Sequence, residues 1–86
     1  MKQSTLDSIT RHVEHGVDPG HFVTAVLEND LKGAFMAADD QNRRDMHEIV
    51  AYCFNEIPSP CWGSPEKVKA WRKRINDARV SDEAER

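Results

Sequence analysis

The sequence has little of what staples, membranes or phosphate loops require. Its two cysteines, Cys53 and Cys61, are too few for a disulfide framework. One bridge is geometrically open to them, but two free thiols in a reducing cytosol are the expectation. No stretch approaches the roughly 18 consecutive apolar residues of a membrane span. Met1-Lys2-Gln3-Ser4 does not lead into an apolar segment, so no secretory signal is expected. No glycine-rich phosphate loop, convincing period-two strand or internal repeat occurs. Asp39, Asp40 and Asp45 lack the twelve-residue spacing of a calcium loop. Twelve basic against fifteen acidic residues give a net charge of -3. That excludes a basic field over the whole chain of the kind that draws in nucleic acid.

What is present is 86 residues, enough for one domain. Such a chain hides only about 60% of the surface its unfolded form exposes. Pairing with a second copy would add burial, so a homodimer is a candidate assembly. Hydrophobic residues make up 38% and charged residues 31%, with a mean hydropathy of -0.72. These values describe a soluble globular chain with polar ends.

Ser4-Thr5-Leu6-Asp7 reads as a helix start with Ser4 as the cap. Leu6, Ile9 and Val13 recur at spacings of three and four, and Gly16 is suited to the left-handed exit. The first helix is therefore expected over residues 4–15. Asp18-Pro19 supplies a cap and a proline at the first helical position. Phe22, Val23, Val26 and Leu27 form the next apolar face, with Leu31 and Phe35 as its extension. Asn29-Asp30 favours a cap over a helix interior. The second region is thus one helix from 19 to about 38, or two divided near residue 29. Asp40 is the expected cap of the next helix. Met46, Ile49, Val50, Cys53, Phe54 and Ile57 keep a 3.6-residue period until Pro58. A stiff loop from Pro58 to Ser64 follows. Ser64-Pro65 then starts a last helix reaching about Asn76, with Val68, Trp71 and Ile75 facing inward. The expected fold is all-α, a compact bundle of four or five short helices. Residues 1–76 form the domain and 77–86 a charged, flexible tail.

The segment Pro19-Gly20-His21-Phe22-Val23-Thr24-Ala25-Val26-Leu27-Glu28-Asn29-Asp30-Leu31, followed by Ala37-Ala38-Asp39 and Trp62-Gly63-Ser64-Pro65, resembles small proteins of tailed bacteriophages and prophages. The resemblance spans roughly residues 6–65. It implies an accessory protein acting in the cytoplasm of a bacterial host, and it carries over no catalytic residues. Some small phage proteins inhibit host defence. By that analogy the expected partner is a host protein complex, and an anti-CRISPR role is one form of it.

The side chains point to binding rather than catalysis. His12, His15 and His21 lie near the first turn with Asp18 among them, but a zinc site needs three or four convergent ligands. They read as exposed polar residues, and no metal or cofactor is expected. Cys53 falls on an apolar stripe and is expected to be buried. Cys61 stands beside Trp62 in the loop, a candidate exposed thiol without an oriented base or oxyanion donor. No enzymatic activity is expected. Residues 1–57 carry 5 basic and 10 acidic side chains, whereas residues 65–79 carry 6 basic and 2 acidic. The acidic part can imitate nucleic acid and enter a basic groove of the partner through Glu14, Asp18, Glu28, Asp30, Asp39, Asp40 and Asp45. Trp62, in a proline-stiffened loop, either closes the core or anchors a partner. The alternative is a nucleic-acid or nucleotide-binding module using Lys69, Arg72 and Lys73 on the basic last helix.

Overall fold

Six α-helices and one 3-10 turn carry the chain in a computed structural model that describes the backbone of residues 1–84 and the side chains of residues 1–79. They are α1 (Gln3–His15), α2 (His21–Leu27), α3 (Leu31–Ala37), α4 (Asp40–Arg44), α5 (Met46–Glu56), the 3-10 turn Ser59–Cys61, and α6 (Pro65–Ala84). The chain is a small all-helical bundle, and no strand occurs among the described residues.

The helix starts show which side chain won each cap. Ser4 lies inside α1, whose cap position is Lys2 and has no side-chain hydrogen bond. Asp18 does not cap α2, because Pro19 and Gly20 intervene. It accepts instead from the Gly20 backbone N–H at 2.8 Å, a local turn that leads the chain into the helix. The division near residue 29 is real. Asn29 sits at φ 61°, a left-handed position that ends α2. Asp30 then caps α3 by accepting from the Gly33 N–H at 2.9 Å. At α4 the cap is Asp39, which accepts from the Asn42 N–H at 2.7 Å, one residue before the expected Asp40. Asp45 separates α4 from α5. Ser64 accepts from the Lys67 N–H at 3.2 Å and starts α6 as expected. The last helix does not stop near Asn76 but continues to Ala84. Residues 85 and 86 of the expected tail lie outside the described residues.

The fully enclosed side chains are Ile9 and His12 of α1, Leu27 of α2, Ile49 and Cys53 of α5, Cys61 of the 3-10 turn and Val68 of α6. Each large aliphatic group so enclosed contributes about 1.5–3 kcal/mol. On α1 the buried stripe is Thr5, Ile9 and His12, with Leu6 and Val13 only half-buried. The helix is rotated from the apolar expectation because its two polar members find partners inside. Thr5 donates to Asn42 Oδ1 at 3.2 Å, and His12 Nε2 meets the Cys61 carbonyl at 2.8 Å. Two further ties close the bundle. The Gly63 N–H donates to the Leu27 carbonyl at 2.6 Å, and Trp71 Nε1 donates to the Val13 carbonyl at 2.9 Å.

Candidate functional site: an acidic cleft beside an apolar patch

The left-handed break at Asn29 turns α3 back against α2, and an open cleft of about 560 Å³ lies between them. Asp18, His21, Thr24, Glu28, Asp30 and Met36 are among its lining. Three of the seven carboxylates expected to form an acidic surface therefore line one cleft. Asp18 accepts from the Gly20 N–H, and its pKa is lowered mainly by that bond, with Arg72 and Thr24 adding to the effect. It stays ionised through the neutral range, although the Arg72 guanidinium 3.9 Å away shares its charge. Glu28 and Asp30 have no ion-pair partner among the described residues.

The other four acidic candidates are not gathered here. Glu14 lines a separate groove with Glu56, Tyr52 and Ile57. Asp39 is paired with Lys2, whose ammonium is the main cause of its lowered pKa. Asp40 is paired with Arg43, and Asp45 faces the Met1 amine. Three of the seven carboxylates thus line one cleft, and Glu14, Asp39, Asp40 and Asp45 lie elsewhere.

The basic residues of the alternative site lie on α6. Lys69 is exposed, Arg72 reaches Asp18, and Lys73 donates to Asp77 at 2.8 Å. Arg74 stands 5.5 Å over the Trp71 ring. Two of the three proposed phosphate contacts are therefore already turned toward carboxylates of the same chain. Trp62 is half-buried and packs against the core.

The expected extension of the apolar face is overturned. Leu31 is 70% exposed and Phe54 is 77% exposed, with Phe35 and Val50 each about two-fifths exposed (42% and 41%). Leu31 and Val50 line one apolar socket of about 60 Å³, together with Val26, Ala34 and Met46. Asp30 and Ala25 line both this socket and the acidic cleft, so the two features adjoin. The sequence carried a sign of this. At 100° per residue, the apolar positions 46–57 cover about 140° of arc, more than one core contact absorbs. Ile49 and Cys53 took the interior, and Val50 and Phe54 were left outside.

The histidine expectation changes as well. His15 and His21 are exposed, but His12 is fully buried. A carbonyl can only accept, so Nε2 carries the proton, and Nδ1 is left as a buried lone pair without a partner. Burial, with a smaller contribution from Arg72, holds the His12 pKa below its ordinary 6.5 against the opposing effect of the Cys61 bond. Cys61 is not exposed but fully enclosed, and Cys53 is enclosed with it; both are free thiols. Burial pushes Cys53 up to about 12 and Cys61 up to about 11, the reverse of what a nucleophile needs. Among the described residues, no three His, Cys, Asp or Glu side chains are placed to hold a metal ion. No helix among the described residues is long and apolar enough to cross a membrane.

Comparison with family models, curated proteins and solved structures returned no match.

Proposed function

We propose that this chain is a noncatalytic binding protein, encoded by a phage or prophage, that engages a host protein complex through its acidic cleft. The observation that carries this reading is that Asp18, Glu28 and Asp30 all line one open cleft. Carboxylates held in this way favour a partner surface bearing arginine or lysine. A nucleic-acid-binding protein of the host offers such a surface, and a defence complex is the form suggested by the phage resemblance. The protein would then act in the bacterial cytoplasm by occupying a groove meant for phosphate. Trp62, at the edge of the core, stiffens the loop rather than supplying the main contact in this reading.

The nucleic-acid alternative has less support, because Arg72 and Lys73 face Asp18 and Asp77. The test uses the purified protein as bait in a bacterial lysate, with a nuclease-treated control and a salt series. The expected result is a defined protein partner, kept after nuclease and released by salt. The triple variant Asp18→Asn, Glu28→Gln, Asp30→Asn is expected to lose at least about tenfold in affinity while keeping its helix content. Asparagine at 30 retains a capping oxygen. Capture that survives this variant, or recovery of nucleic acid alone, would refute the proposal.

A further inference from the structure

The strap from Pro58 to Gly63 joins α5 to α6 and holds a single 3-10 turn. Pro58 and Pro60 have no N–H to give, so the strap is poor in backbone donors. Among the described residues, two hydrogen bonds tie its backbone to other elements. His12 Nε2 donates to the Cys61 carbonyl at 2.8 Å, and the Gly63 N–H donates to the Leu27 carbonyl at 2.6 Å. Gly63 stands at φ 115°, a conformation that glycine takes without penalty, just before α6 begins. A short segment with two ties and a glycine at its end is built to hinge.

One of those ties depends on a proton. The His12 ring is fully buried, and its Nδ1 meets no protein partner. A proton there would place a second N–H and a charge in the interior with no acceptor for either. The charged ring has to reach water, and something must move to let it. The body of α1 is the firmer side. Thr5 holds it to Asn42, Trp71 holds its Val13 carbonyl, and Arg79 holds its His15 carbonyl. The strap is the weaker side, since departure of the ring removes one of its two ties.

We infer that the Pro58–Gly63 strap is an acid-released latch: protonation of His12 breaks its bond to Cys61, and the strap turns about Gly63 to bare Trp62 and the Cys61 thiol. The state that opens binds one more proton than the closed state, so opening rises as the pH falls.

The surroundings of the ring favour this direction. Burial disfavours the charged form, and Arg72 of α6 adds repulsion of the same sign. The thiols of Cys61 in the strap and Cys53 in α5 stay neutral in the acid and neutral range. His21 of α2, and Tyr52 and Glu56 of α5, stand on helices beside α1 and do not bear on the ring. On α1 itself, Arg11, Glu14 and His15 are exposed. No carboxylate bonds to His12 among the described residues, so no ion pair offsets the cost of charging it in place.

The test is amide hydrogen exchange of the full chain by NMR from pH 7.5 to 5, corrected for the intrinsic rate at each pH. The reporters are the Cys61 N–H, bonded to the Pro58 carbonyl, and the Gly63 N–H. At pH 7.5 both are expected to be at least about tenfold less protected than the buried Cys53 amide of α5, which marks a local opening. Their protection is expected to fall by up to about tenfold per pH unit below 6.5, until the folded pKa of His12 is passed. In His12→Gln, which keeps an N–H donor but cannot titrate, protection is expected to stay level. Reporters that exchange as slowly as Cys53 at every pH, a flat profile in the wild type, or an equal fall in His12→Gln would each overturn the inference. If that variant does not fold, the imidazole nitrogen shifts of the wild type decide. They are expected to change over the same pH range as the two reporters, and a ring that titrates while both amides keep their protection would overturn the latch. None of these outcomes bears on the acidic cleft, which the lysate experiment tests separately.

Discussion

His12 donates through Nε2 to the Cys61 carbonyl oxygen at 2.8 Å, joining α1 to the proline-rich loop across 49 residues of chain. The bond fixes the tautomer and leaves Nδ1 unpartnered in the interior. A charged imidazole would put a second N–H where no acceptor waits, with Arg72 adding repulsion. The bundle therefore holds His12 neutral.

A pH dependence follows with a definite sign. The folded pKa of His12 lies below the ordinary 6.5. Between those two values the unfolded chain binds the proton and the folded chain does not, so stability increases with pH. It is fully present above about 6.5 and is lost as the pH falls toward the folded value. Urea unfolding at pH 7.5, 6 and 5 is expected to show the wild type losing more stability than His12→Gln as the pH falls over this window. Equal slopes for the two proteins would show that His12 does not titrate on unfolding.

His12→Ala removes the same bond and leaves a void. Its expected cost is about 2–4 kcal/mol, from the cavity and from the stranded Cys61 carbonyl together. Chemical denaturation measures it, and a cost under about 0.5 kcal/mol would mean that the site relaxes around the gap.

Gly16→Ala tests the exit from α1. Gly16 sits at φ 62°, and a Cβ there would stand 3.2 Å from both the Arg72 carbonyl and Ile75 Cβ. Strain and crowding act together, so a loss of about 1–3 kcal/mol is expected in the urea midpoint. A neutral effect would show that α6 can move away from α1.

The two thiols are expected to be slow. With Cys61 pushed up to about 11 from 9.0, its thiolate fraction is about 100-fold below that of a free cysteine at the same pH. An aromatic disulfide reagent at pH 8 is expected to react with neither thiol in the folded protein and with both in denaturant. Rapid labelling of the native protein would place a thiol at the surface.

Trp71→Phe removes the indole N–H that donates to the Val13 carbonyl at 2.9 Å and keeps most of the ring. A loss of about 1–2 kcal/mol is expected. Hydrogen exchange is expected to increase at the α1 C-terminus and the facing turn of α6, and unchanged protection there would show that this bond does not dock the two helices.

Elements written in local chemistry are legible in the residues alone. The 3.6-residue periods, the Ser64-Pro65 start and the Gly16 exit all act within a few residues, and the all-α bundle follows from them, whereas Asn29-Asp30 left one helix or two open until the structure showed the break. Competing caps one or two residues apart are not resolved in this way. Ser4 against Lys2 and Asp39 against Asp40 differ only in where the backbone enters the helix.

The length of the apolar runs, the two cysteines and the division of charge belong to the sequence itself. Which apolar residue faced inward was decided only by packing. The α5 stripe was wider than the core could take, so Ile49 and Cys53 entered it while Val50 and Phe54 stayed outside. Tertiary structure alone took His12 inside, because its acceptor, the Cys61 carbonyl, lies 49 residues away. It also brought three of the seven acidic candidates, Asp18, Glu28 and Asp30, to the lining of one cleft, since only folding sets charges from separate segments within reach of one another.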